Sequence, residues 1–197
     1  MPLREQRDGR VERGNRTRRA IVEAHVALLR EGDLAPTASR VAERAGVSVR
    51  TLWAAFGDME GLLGATTGYW FEADDALRGT VDPDAPLAER IEVFCAERVR
   101  RLENISPAAR AALLKEPFSE ALRRSRLGHV QRVVHDLEAA FAAELDAAPD
   151  RPALLDALVA ATSWNAWSLL RDDLARPVDA AHAAMLRSLH SLLPPQR

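Results

Sequence analysis

The chain has 197 residues, 47% of them hydrophobic and 28% charged, with a formal net charge of −2. That length supports a sizeable buried core, and the balance is that of a soluble globular protein, so the overall charge gives no argument for a nucleic-acid partner. A lone cysteine, Cys95, excludes an internal disulfide framework and fits a reducing compartment. No apolar run approaches the roughly 18 residues of a membrane span. The charged N-terminus has no apolar segment behind it, unlike a secretory signal. The expected location is the cytoplasm, with no membrane partner.

The distribution of charge says more than its total. Residues 1–20 hold Arg4, Arg7, Arg10, Arg13, Arg16, Arg18 and Arg19 against Glu5, Asp8 and Glu12, a net of +4, which leaves −6 on the remainder. A basic end on an otherwise acidic chain points to an anionic partner reached by that end. A solvated arm is the plainer reading of the same residues.

In chain order the pattern is helical almost throughout. Ile21, Ala24, Leu28 and Leu29 recur at helical spacing and Gly32 stops the run. Two short helices are expected within Thr37–Phe56. Asp58 caps a further helix that carries Leu62, Leu63, Trp70 and Phe71 and ends near Gly79. Leu87 to Leu102 forms the next amphipathic stripe, and Ser106-Pro107 is expected to restart the chain in a short helix to about Lys115. Leu122 to Leu145 marks one long helix, and Pro152 to Leu170 a segment apolar on more than one face. Val178, Ala181, Met185, Leu189 and Leu192 form the last stripe. No window alternates with period two. The fold expected is therefore all-α: a small N-terminal three-helix unit and a larger C-terminal helical bundle. The organisation read is a basic arm over 1–16, a first domain over 17–57, and a larger domain over 58–197.

The informative stretch runs from Thr37 to Phe56. Thr37 and Ser48 are each placed to cap a short helix, their hydroxyls accepting otherwise orphaned backbone N–H groups. Gly46 lies just past the first helix, where a left-handed residue reverses the chain cheaply. Val47 and Leu52 are spaced for a hydrophobic staple, and the small Ala42 lets two helices cross closely. With Val41, Ala42, Ala45, Leu52, Ala55 and Phe56 turned inward, Val49, Arg50, Trp53 and Ala54 face out. Arginine bonds two acceptors on a guanine edge, while hydroxyls at Thr37, Ser39, Ser48 and Thr51 suit phosphates. This is a helix-turn-helix pattern over 37–56, preceded by the basic residues that include Arg16 and Arg18.

From Thr17 to Leu63 the sequence resembles the DNA-binding domain of TetR-family regulators. The matching residues are Thr37, Val41-Ala42, Ala45-Gly46-Val47-Ser48, Thr51-Leu52-Trp53, Phe56 and Leu62. The resemblance implies a homodimeric, often ligand-released repressor on double-stranded operator DNA. It also implies a subunit of about nine helices, with the last two long ones forming the dimer. Three departures stand out. Trp53 occupies the place of a customary tyrosine, Ala55 that of a histidine, and Met59 that of a lysine that holds backbone phosphate. The arginine-rich arm is a substitute for the missing phosphate ligands.

Beyond residue 63 the resemblance is architectural and no ligand is inherited. Thr67, Trp70, Phe71, Phe94, Cys95, Phe118, His129, Val133, Trp164 and Trp167 are candidates to line a pocket for a small apolar or aromatic effector. Plain core is the competing reading of the same aromatics. Leu154, Leu158, Ala161, Val178, Met185 and Leu189 are candidates for the dimer face. Cys95 reads as a buried structural thiol rather than a redox sensor. The five histidines, His25, His129, His135, His182 and His190, show no metal-ligand spacing, so no metal or cofactor is expected. His129 and Asp136 share a helical face, but no nucleophile motif accompanies them and catalysis is not expected. A DNA-binding regulator controlled by a protein partner or by expression level, with no small-molecule effector, is the alternative.

Overall fold

The computed structural model describes the backbone of residues 2–193 and the side chains of residues 11–193. Ten α-helices occur among the described residues: α1 (Pro2–Arg30), α2 (Ala38–Arg44), α3 (Val49–Phe56), α4 (Met59–Asp75), α5 (Leu87–Lys115), α6 (Glu120–Ala140), α7 (Ala142–Ala147), α8 (Arg151–Thr162), α9 (Trp164–Ser168) and α10 (Val178–Leu192). No strand is found among them, and the all-α expectation holds. No described helix is long and apolar enough to cross a membrane. The chain divides into two compact units: the residues up to Ala73 with Ser106–Ser125, and Asp74–Ile105 with the residues from Arg126 onward.

The first unit is built on α1, α2 and α3. Ile21, Leu28, Val41, Ala42, Leu52, Phe56 and Leu62 are buried together, and Val47, Trp53, Ala55 and Met59 pack against them half-buried. Thr37 accepts from the Arg40 amide at 3.3 Å and Ser48 from the Thr51 amide at 3.0 Å, so both caps form where their residue types predict. Gly46 has φ +67°, a conformation that side chains with a Cβ rarely adopt, and it lets the Val47 amide bond back to Ala42 at 2.9 Å. Asp58 caps α4 through the Gly61 amide at 2.9 Å. Gly61 is itself required, because a Cβ there would stand 2.2 Å from the Phe56 carbonyl oxygen.

The second unit gathers Ile91, Phe94, Cys95, Leu102, Val133, Leu137, Phe141, Leu145, Leu158, Trp167, Met185 and Leu189 into one core. The element boundaries go beyond the sequence pattern at four places and overturn it at two of them, Pro107 and Phe141. The first helix begins at Pro2, well before the apolar stripe, and residues 11–16, which lead into the stripe, are exposed. Pro107 does not restart the chain; α5 runs through it. Its missing amide leaves the Glu103 carbonyl without its helical partner, a cost of about 3 kcal/mol or more. Burial of Leu102, Ile105 and Ala111 on either side of the proline works against that cost.

The helix expected to reach Leu145 stops at Ala140, and Phe141 leaves helical geometry at φ −129°, ψ 30°. Arg90 Nη1 donates to the freed Ala140 carbonyl at 2.7 Å while pairing with Glu144, which is on the next helix. A buried arginine thus takes the place of the absent helical bond. Likewise the Pro152–Leu170 segment is two helices, because Ser163 ends α8 and caps α9 through the Ala166 amide at 3.1 Å.

Candidate functional site

The α2–turn–α3 segment presents one surface to solvent. Val49, Arg50, Thr51 and Ala54 on α3, Ser48 before it, and Thr37 and Ser39 at the start of α2 lie on the accessible side. The opposite faces of both helices are filled, with Val41 and Leu52 wholly buried. Trp53, expected to face fully out, is half-buried against the core, because a ring that size covers the apolar edge of α3 as well as reaching its rim. Ser48 Oγ and Thr51 Oγ1 lie 2.8 Å apart. One hydroxyl donates to the other, so a single hydroxyl proton of the pair remains for an outside acceptor.

Two ion pairs hold α2 against the end of α1. Arg40 reaches Asp33 at 2.9 Å, and Arg44 pairs with Glu31 through two guanidinium nitrogens. Arg50 makes no such pair among the described residues, so its guanidinium is available on the exposed face. Exposed Arg16 stands on α1, while Arg4, Arg7 and Arg10 have side chains outside the described set. Arg18, expected on DNA, already has protein partners. Its guanidinium carbon lies 4.3 Å from the centre of the Phe56 ring, and Nη1 donates to the Ala55 carbonyl at the end of α3. That carbonyl is among those a helix end leaves unsatisfied.

Deeper in the same unit, the buried His25 Nδ1 lies 2.8 Å from Thr66 Oγ1, whose hydroxyl donates to the Leu62 carbonyl at 2.9 Å. Nδ1 must therefore carry the proton and donate. Burial, and then the charge of Lys115, push the His25 pKa down to about 4, so the ring is neutral at physiological pH.

The candidate pocket residues divide between the units. Thr67, Trp70 and Phe71 fall in the first, where Trp70 is buried and Arg30 lies 5.0 Å from its ring centre. Phe118 is 89% exposed and lines no enclosed space; it sits on the 3-10 turn Glu116–Phe118. In the second unit Phe94, Cys95, Val133 and Trp167 share the buried core, with Trp164 packed against it. Burial pushes the Cys95 thiol up to about 12, which leaves it inert.

Three candidate dimer residues lie in the core of the single chain. Leu158, Met185 and Leu189 are buried within the single chain at 0%, 3% and 0% exposure. Leu154, Ala161 and Val178 are half-buried against the same core. The large apolar side chains of α8 and α10 face this core, while Ala153, Ala160, Ala180 and Ala183 are exposed.

One feature of the second unit went unforeseen from sequence. Arg101 is buried and donates two bonds to Asp74, at 2.9 and 2.8 Å, one to Asp136 at 2.8 Å and one to Glu97 at 3.1 Å. Burial opposes both charges of the Arg101–Asp74 pair. The pairing outweighs it, holding the Asp74 carboxyl below its usual range and the guanidinium charged. Glu97 and Arg101 at i, i+4 look in sequence like an ordinary surface pair, and nothing local marks Asp74 and Asp136 as further partners. No group of three metal-ligating residues occurs among the described side chains.

Taken together, the described chain is all-helical, with an N-terminal helix-turn-helix whose two caps are formed and whose second helix is exposed. Solved structures share that fold. A transcriptional regulator from Rhodococcus sp. Rha1 superposes with a TM-score of 0.68, at 16% identity, over 91% of this chain and 95% of its own. The multidrug binding protein EbrR, complexed with imidazole, superposes with a TM-score of 0.60, at 19% identity, over 91% of this chain and 90% of its own. At such identities the likeness is one of fold. No protein-family model and no curated protein sequence matches the chain.

Proposed function

We propose that this protein is a DNA-binding transcriptional regulator. In this reading it is a homodimeric repressor on a palindromic operator, released by a small apolar or aromatic effector held in its second unit. The observation that carries the DNA-binding part is the exposed face of α3. Arg50 stands there with no ion-pair partner among the described residues, on a helix whose other face is filled. Arg50 reads a base edge in the major groove. Ser48, Thr51 and the N-terminus of α3 position the helix on phosphates, and the arginines of α1 other than Arg18 add sequence-independent attraction.

A two-fold partner meets the small-residue faces of α8 and α10, around Ala153, Ala160, Ala180 and Ala183, where short side chains allow close approach. A C2 dimer then sets two α3 helices against half-sites about one helical turn apart or a multiple of that. Effector control runs through α4, about 25 Å long at 1.5 Å per residue. That helix follows α3 directly, and its penultimate residue, Asp74, is held by Arg101. The multidrug binding of a protein with the same fold favours a small-molecule effector over a purely protein-controlled regulator.

The test is selection of bound sequences from a randomised duplex library by the purified full-length protein. The reading expects enrichment of a two-fold-symmetric site. Recovery of an unenriched pool, with binding governed by salt alone, contradicts it.

A further inference from the structure

The buried ionic cluster of the second unit is unevenly supplied. Every carboxylate in it, from Asp74, Glu97 and Asp136, bonds to Arg101. Arg98 lies three residues earlier on α5 and is equally buried, at 2% exposure, yet no carboxylate of the described residues pairs with it. Its Nε donates to the Thr162 carbonyl at 2.8 Å, and its Nη2 lies 3.2 Å from His129 Nε2. Its Nη1 is buried without any hydrogen-bond partner.

The charge state of this group is clear. Burial, then repulsion from Arg101, lowers the Arg98 pKa to about 10, which leaves the guanidinium cationic at neutral pH. Burial, and then Arg98 itself, push His129 down to about 4, so the imidazole is neutral and Nε2 accepts. Arg98 is thus a desolvated cation with two uncharged acceptors and an idle Nη1. Buried charges are ordinarily paired, and an idle buried donor calls for a partner. A carboxylate is the partner that guanidinium geometry fits best. Phe94 and Cys95 lie one turn before Arg98 on the same side of α5, and both belong to the apolar core of the unit.

We propose that Arg98 anchors the acidic group of the effector, so that the ligand class is a small carboxylic acid with an apolar or aromatic body. The carboxylate sits on Nη1 of Arg98, with His129 and the Thr162 carbonyl fixing the guanidinium, and the body lies toward the Phe94–Trp167 part of the core. This rests on the effector reading above and narrows it. An amine offers the idle Nη1 no acceptor, and an apolar neutral ligand leaves it without a partner.

The experiment titrates the full-length protein calorimetrically with matched probes in buffer free of carboxylate and phosphate. The probes are benzoate, benzamide and benzylamine, then phenylacetate, 3-phenylpropionate and octanoate, each with its amide and amine. The proposal expects at least one acid to bind tenfold or more tightly than its amide and amine. Arg98→Met should abolish that preference, and Arg98→Lys should keep part of it. The preference in the wild type decides the matter should the methionine variant fail to fold. Amides or amines that bind as tightly as the acids overturn the proposal, and so does the absence of binding by every acid at millimolar concentration. The same probes are then added to the DNA complex. Neutral compounds that release DNA uphold the effector reading while overturning the acidic anchor. Acids that bind through Arg98 without weakening DNA uphold the anchor and refute the effector reading.

Discussion

Replacing Arg18 by alanine separates two roles that the sequence alone assigns to one residue. The guanidinium over Phe56 is an exposed cation–π interaction worth about 0.5–1 kcal/mol. Its hydrogen bond to the Ala55 carbonyl contributes a net ~0.5–1.5 kcal/mol. Losing both destabilises the fold by about 1–2.5 kcal/mol, which for a chain of this length lowers the melting temperature by about 2–10 °C. The assay is thermal unfolding followed by circular dichroism, alongside DNA affinity measured across a salt series. As a brace on the end of α3, Arg18 weakens DNA binding when removed but leaves the salt slope unchanged. A direct phosphate ligand would, on removal, flatten that slope by about 0.9 per phosphate no longer neutralised. An unaltered melting temperature with a flattened slope would refute the brace and restore Arg18 to the residues that touch DNA.

Protonation of His25 gives a pH dependence of defined sign. Its folded pKa of about 4 lies below its ordinary 6.5, so between those values the unfolded chain binds more protons. Stability therefore rises from pH 4 to 6.5 and is lost on acidification, by up to ~3 kcal/mol for this group; His25→Gln should flatten the slope in that window, and an unaltered slope speaks against it. Gly61→Ala places a methyl group against the Phe56 carbonyl and should cost ~1–3 kcal/mol in denaturant unfolding, whereas a neutral result would mean that the α3–α4 turn yields freely. Ala160→Glu or Ala183→Glu should yield folded monomers in sedimentation, while Leu189→Ala should lose ~2–5 kcal/mol of subunit stability. Dimers that survive both glutamates would place the two-fold face elsewhere.

The sequence was most legible where structure is set locally. Thr37, Gly46 and Ser48 act within a few residues of themselves, so the turn between α2 and α3 could be read from residue types and spacing. The break at Phe141 could not, because it depends on Arg90, 50 residues away from Ala140 in sequence. The same distance problem hid the Arg98–Arg101 cluster, whose partners come from α4, α6 and α8. A segment apolar on several faces, such as Leu154–Leu170, does not declare which face turns inward. The large side chains of Leu158 and Trp167 took the core, and smaller alanines such as Ala153 and Ala160 were left outside. Phe118 shows the converse: an aromatic ring that residue type places in a pocket stands in solvent.

Whether α3 reads DNA sequence through Arg50 is tested most directly by one measurement. Affinities of the wild type and of Arg50→Ala are compared on the selected operator and on copies mutated at each position in turn. The expected result is a loss of ~1–3 kcal/mol on the operator and a preference relaxed at one position in each half-site. Equal weakening on every sequence, with all positional preferences intact, would contradict it.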